Sequence, residues 1–161
     1  MCSSDLGFVD RLTSWLPGMI EHRCGVGERG GFIQRLHEGT WCGHIMEHVA
    51  IELQTLAGMQ VGFGKARETS QRGVYKVVIR TRQEEVGRES MVAARDLVMA
   101  AIHGTAFDVK GTVNRLKAMV DRLCLGPSTA CIVDAATEHR IPSIRLTDGN
   151  LVQLEIGRAH V

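Results

Sequence analysis

Thr40-Trp41-Cys42-Gly43-His44-Ile45-Met46-Glu47-His48-Val49-Ala50-Ile51-Glu52-Leu53-Gln54-Thr55-Leu56-Ala57-Gly58 has the periodicity of a single helix. At about 100° per residue, Trp41, Ile45, Val49, Leu53 and Leu56 fall on one stripe. Thr40 can cap the start, and Gly58 can take the left-handed conformation that ends a helix near Leu56. His44 and His48 sit together at the edge of the stripe, one turn apart. Glu52 falls inside it, where a carboxyl must find a partner or take up a proton.

Within this helix, His44-Ile45-Met46-Glu47-His48 is an H-x-x-E-H sequence. Histidines at i and i+4 share a face, so both imidazoles can reach one cation, and that spacing suits zinc or another divalent metal. Glu47, next to the second histidine, is placed beside such a cation, where it can take a proton from water. A catalytic zinc needs a third protein ligand. Glu85, at the turn leading into the next helix, is the first candidate, followed by Glu84, Glu89 and Glu52. Cys124 has suitable chemistry but stands alone near a junction. The plainer alternative is that both histidines pack at the core edge and hydrogen-bond to backbone.

Upstream, Phe8, Val9, Leu12, Trp15 and Leu16 have amphipathic helical spacing, stopped by Pro17-Gly18. A glycine-rich connection runs from Cys24 to Gly31 and lacks the strand context of a dinucleotide loop. Downstream, residues 64–73 read as a polar loop, and Val74 to Thr81 as a strand rich in β-branched residues. Helices are expected over Arg88–Ile102 and Asp108–Leu123, the latter with Val109, Val113, Leu116 and Val120 inside. Leu125-Gly126-Pro127-Ser128 marks a domain junction. After it come a helix over Ser128–His139, a strand at Ser143–Leu146, an Asp148-Gly149 turn and a strand at Leu151–Leu154.

Lys65, Arg67, Arg72, Lys76, Arg80 and Arg82 form a basic cluster, and the even spacing of Lys76, Arg80 and Arg82 puts them on one face of a strand. Such a face could hold a carboxylate-rich polymer, or it could simply be a solvated outer surface.

The 161 residues suit one domain and part of another. The 44% hydrophobic and 23% charged composition is that of a globular protein. A net charge of +1 provides no field to draw the chain to nucleic acid or an anionic membrane. The five cysteines are an odd set without C-x-x-C spacing, and neither a signal peptide nor a membrane-spanning run is present. That pattern predicts reduced thiols and a cytoplasmic protein.

Cys2-Ser3-Ser4-Asp5-Leu6 is what sequencing-adapter DNA encodes in one frame, and Ile156-Gly157-Arg158-Ala159-His160-Val161 is what the partner adapter encodes on the same strand. Residues 1–6 and 156–161 are therefore set aside as expected artefacts, and the gene is expected to extend both ways.

Several ordered segments resemble the cyanophycin synthetases. They are Leu16-Pro17-Gly18-Met19-Ile20-Glu21-His22-Arg23-Cys24, Arg29-Gly30-Gly31-Phe32, Glu38-Gly39-Thr40, Gly43 through Gln54, Leu56-Ala57-Gly58-Met59, Val61-Gly62-Phe63-Gly64 and Arg67-Glu68-Thr69. Leu125-Gly126-Pro127-Ser128-Thr129, Ile141-Pro142 and Leu151-Val152-Gln153-Leu154 resemble the entry to the ATP-grasp domain of that family. Two departures stand out: Glu155-Ile156 replaces the family's glycine and aromatic, and the strands that precede Gly7 in the family are missing.

The resemblance implies an α+β fold, an antiparallel sheet backed by helices over residues 7–124, followed by the first α/β elements of an ATP-grasp domain over 125–155. It implies a parent ligase that builds a poly-aspartate backbone carrying arginine, used as a nitrogen store. Aspartate, arginine, ATP and Mg act in ligase domains beyond this piece, so no ATP-binding residue lies within it. The full-length protein is expected to be a homo-oligomer. By the same resemblance His44 and His48 match metal ligands and Glu47 the general base of a metallopeptidase-like site that trims polymer into primers. A non-catalytic polymer-binding module remains the other reading.

Overall fold

The computed structural model describes residues 6–25 and 27–155. The chain divides into two units, one running through Val120 and the other beginning at Asp121. The two segments expected to be adapter-encoded lie outside the described residues, apart from the backbone of Leu6.

In the first unit, everything is arranged around the helix expected from the H-x-x-E-H stretch. Helix α1 covers Leu6–Trp15, a 3-10 turn covers Pro17–Glu21, α2 covers Gly31–Glu38 and α3 covers Cys42–Leu56. The hairpin β1 (Gly64–Glu68) and β2 (Tyr75–Ile79) follows, then α4 (Glu84–His103) and α5 (Val109–Leu123). Helix α3 packs against α4 and both strands. Ile45, Val49, Leu53, Leu97, Val98, Leu12, Leu16, Met19 and Phe32 are fully or almost fully buried.

The apolar stripe of α3 holds at its centre and fails at its ends. Trp41 and Leu56 are 43% and 39% exposed, while Ala50, Ile51 and Gln54, off the stripe, are buried. The helix is enclosed on most sides because the hairpin covers a second face. Its start also differs: Trp41 is the N-cap residue and makes no side-chain cap. The Thr40 hydroxyl instead meets His44 Nδ1 at 2.9 Å. Gly58, with φ +91, ends the helix as expected.

Residues 64–68, expected to be loop, form β1. Lys65 pairs with Val78 and Arg67 with Lys76 in an antiparallel ladder. This segment has little intrinsic strand preference, so its partner strand and α3 beneath it impose the extended form. Helix α4 begins at Glu84, four residues before the expected start, because the Gln83 side chain caps the Glu85 N–H at 2.8 Å. In α5, Leu116 and Thr112 are buried, whereas Val109, Val113 and Val120 are only half-buried. Cys42 is disulfide-bonded, which departs from the expectation of thiols throughout.

In the second unit, α6 (Pro127–Glu138) precedes the antiparallel hairpin β3 (Ser143–Arg145) and β4 (Val152–Leu154). Arg145 ties its loop by donating to the Gly149 and Asp148 carbonyls. Among the described residues there are six α-helices and two two-stranded antiparallel sheets, one in each unit. No described helix is long and apolar enough to cross a membrane.

Leu53 of α3 is fully buried in the core of the first unit. Leu53→Ala should lower unfolding free energy by about 2–5 kcal/mol in urea titrations. Val78→Ala, at a position 60% exposed, should change it by no more than about 0.5 kcal/mol.

Candidate metal centre

The backbone of α3 puts His44, Glu47, His48 and Glu52 on adjoining turns. The 3-10 turn and the loop after it bring His22 and Cys24 up to them. Cys24 Sγ lies 3.0 Å from His44 Nε2, and His44 Nε2 lies 3.1 Å from His48 Nε2. One donor atom each from Cys24, His44 and His48 falls within 4.8 Å of the others. Phe32, projecting from α2, stacks on the His48 ring at 4.1 Å between centroids and meets His44 edge-on at 5.7 Å. That ring shuts the group off from one side.

Burial governs the protonation of this group. It lowers the pKa of His48 to about 3, with the nearby His44 and His22 adding to the effect. Burial, then the Arg35 guanidinium, lowers that of His44. Both rings are therefore held neutral, the form that ligates a cation. Burial and then the charge of Glu47 raise the Cys24 thiol, against a smaller opposing effect of Arg35.

Glu47 is buried, and burial raises its pKa although the Ala66 backbone N–H hydrogen-bonds to the carboxylate and opposes the shift. Gly64 on β1 is what lets the strand come so close, since a Cβ there would collide with the Glu47 side chain. Glu47 faces a cleft of about 620 Å³ that is also lined by His22, Cys24, His48, Glu52 and Phe63. The acid expected to need a partner, Glu52, has one in His22 Nε2 at 3.0 Å.

The donor set suits a divalent cation. Two zinc-bound imidazole nitrogens at tetrahedral geometry stand about 3.4 Å apart, close to the 3.1 Å observed between the two Nε2 atoms. Two neutral imidazoles and a thiol that gives up its proton supply three ligands and leave a position open. His44 Nδ1 is held by Thr40, which leaves its Nε2 for the cation.

Glu85 is exposed in the first turn of α4 and is not one of the grouped donors. Glu84 pairs with Arg88 at 2.7 Å and Glu89 with Arg115 at 3.1 Å, both at the surface. Sequence reasoning alone misses Cys24 and His22. The sequence does contain a signal for them, two metal-capable side chains in His22-Arg23-Cys24, but only the fold brings that segment onto α3.

The basic residues are exposed, with Arg72 in the hairpin turn and Arg82 just beyond β2. Lys65, Arg67, Lys76 and Arg80 line the outward face of the hairpin, and Arg80 lies 5.6 Å above the Phe63 ring. Arg67 stands directly opposite Lys76. A like-charged pair in that position destabilises a hairpin.

The first unit is a small α+β domain in which a half-buried thiol-and-imidazole group adjoins a carboxylate and a cationic hairpin. Sequence comparison supplies the family: residues 3–103 match the cyanophycin synthase-like N-terminal domain. The chain belongs to that family. It is 42% identical over 154 residues to the cyanophycin synthetase of Geminocystis herdmanii, covering 94% of this chain and 18% of the relative. The cyanophycin synthetase of Trichormus variabilis is 42% identical over 157 residues, covering 96% of this chain and 17% of that protein. That of Crocosphaera subtropica is 42% identical over 154 residues. The chain thus spans less than one-fifth of the length of these relatives.

The neutral histidines make the first unit acid-sensitive. The His48 pKa lies below its ordinary 6.5 in the folded protein, so as pH falls below 6.5 the unfolded chain binds protons first. Stability present above that pH is lost on the way down to about 3, at up to about 1.4 kcal/mol per pH unit. Lowering of His44 acts in the same direction, whereas Glu47, raised from 4.5, partly offsets the loss above that value. Urea midpoints measured across this range should fall with acidification, and a flat profile would contradict the burial argument.

Proposed function

We propose that this chain is part of a cyanophycin-making ligase and that its first unit holds the polymer and cleaves it at Cys24, His44, His48 and Glu47. The observation that supports this reading is the convergence of three donor atoms from two separate segments beside the cleft that Glu47 faces. Cys24, His44 and His48 would hold a divalent cation such as zinc. When bound, the cation supplies Lewis acidity toward water and the scissile carbonyl. Glu47 accepts the proton of the attacking water and passes it to the departing amine as the amide C–N bond breaks. Its raised pKa suits both halves of that transfer. Phe32 excludes solvent behind the rings.

Lys65, Arg67, Arg72, Lys76, Arg80 and Arg82 would bind carboxylates of the arginyl branches through charge-assisted hydrogen bonds. The opposition of Arg67 and Lys76 favours this over a merely solvated face, because an anionic partner relieves their repulsion. Residues 125–155 are read as the start of the ATP-grasp domain. Joining aspartate and arginine with ATP and Mg would then fall to domains beyond them, in a cytoplasmic homo-oligomer.

Glu47→Gln should keep metal and lose about 10²–10⁴-fold in polymer cleavage, because it removes a base rather than a ligand. His44→Ala and Cys24→Ala should lose both, while Glu85→Ala should keep both. Metal analysis and cyanophycin hydrolysis decide this, and equal hydrolysis by wild type and Glu47→Gln would leave only a polymer-binding module.

For the cationic face, Arg67→Ala with Lys76→Ala should weaken polymer binding and flatten its salt dependence. Without polymer, the same double variant should be as stable as wild type or gain up to about 1 kcal/mol. Unchanged retention on immobilised cyanophycin would remove the binding role of this face.

A further inference from the structure

His22 and Glu52 stand behind the donor group rather than in it. Glu52, on the turn of α3 after His48, is buried, and its Oε2 lies 3.0 Å from His22 Nε2. The other nitrogen of His22, Nδ1, lies 2.7 Å from His48 Nδ1. His48 then turns Nε2 toward His44. His22 is itself pinned, since its carbonyl accepts the Phe32 N–H at 3.1 Å and its own N–H reaches the Met19 carbonyl at 3.2 Å. On the other side of Glu52, Gly18 leaves room for Oε1, where any Cβ would collide.

Hydrogen-bonding capacity gives this chain of contacts a direction. A carboxylate only accepts, so the hydrogen it shares with His22 sits on His22 Nε2. A neutral imidazole protonated there has a bare Nδ1, which also only accepts. With His22 neutral, the hydrogen between the two rings belongs to His48 Nδ1, which leaves the His48 lone pair on Nε2. At His44 the Thr40 hydroxyl can accept from Nδ1, so the two Nε2 atoms, 3.1 Å apart, both present lone pairs, as two ligands of one cation would.

We infer that Glu52 and His22 are positioning residues that hold His48 in the Nδ1–H tautomer, with its Nε2 lone pair directed toward Cys24 and His44. The inference deepens the reading of that group as a cation site and rests on it for its purpose. The tautomer itself can be observed without metal. Through this relay, a buried carboxylate that never touches the cation orients a ligand and raises its basicity.

The test uses the 161-residue chain with zinc as probe. Long-range ¹H–¹⁵N spectra of the metal-free protein should show the His48 proton on Nδ1. Glu52→Gln can donate from its amide to His22 Nε2 and reverse the relay. It should move the His48 proton to Nε2 and weaken zinc binding by about 10–100-fold, with thermal unfolding still cooperative. Gly18→Ala, which crowds Glu52 from the opposite side, should shift both readouts the same way. A His48 proton on Nε2 in the wild type would overturn the relay. So would wild-type tautomer and zinc affinity in a folded Glu52→Gln. If the wild type fails to bind zinc but shows the expected tautomer, and Glu52→Gln alters it, the relay stands and the cation-site reading fails.

Discussion

His48 is the point on which the first unit turns. Its ring is buried and covered by Phe32, its Nδ1 bonds to His22, and its Nε2 turns toward His44 and Cys24. A buried imidazole N–H must have such a partner, because leaving it unmatched costs more than a hydrogen bond returns. That requirement fixes the position of the segment from Pro17 to Cys24, which has little apolar burial of its own beyond Met19. It also draws α2 against α3, since Phe32 must lie flat on the ring.

The same constraint explains why a mostly apolar helix tolerates Glu47, His48, Glu52 and Gln54 at buried positions. Each has a neighbour from another element. Ala66 on β1 serves Glu47, His22 serves His48 and Glu52, and the Arg80 carbonyl receives the Gln54 amide at 3.4 Å. Close approach makes these contacts possible. Gly43 allows Tyr75 to lie on the start of α3, and Gly64 allows β1 to lie on Glu47. The hairpin therefore serves two purposes: its inner side partners Glu47, although Gln54 Oε1 stays without a hydrogen bond, and its outer face carries the cations.

Much of the architecture is legible in local sequence. Periodicity locates α1, α3, α4 and α5, and β-branched residues locate β2, because each of these helices buries a face whose pattern survives without its neighbours. Two elements escape such reading. Helix α2 is eight residues long, too short for a periodic signal, and its glycine start reads as loop. Strand β1, Gly64-Lys65-Ala66-Arg67-Glu68, has charge and glycine where strand formers would be expected. It exists because β2 offers an unpaired edge and α3 a surface to cover.

At the candidate site, local sequence already contains the pairing of His44 with His48, the adjacency of Glu47 and the need of Glu52 for a partner. All three follow from the fixed geometry of one helix, in which residues three and four apart share a face. Only the tertiary structure decided what meets them. Cys24 and His22 lie 20 and 26 residues before their partners His44 and His48, joined through glycine-rich chain whose course no local propensity dictates. Glu85 lies on a helix whose first turn faces solvent, so a plausible place in sequence does not put it among the donors. Contacts within a helix are set by its repeat, whereas contacts between segments are set by which buried groups must be satisfied at once. That second condition belongs to the folded chain as a whole.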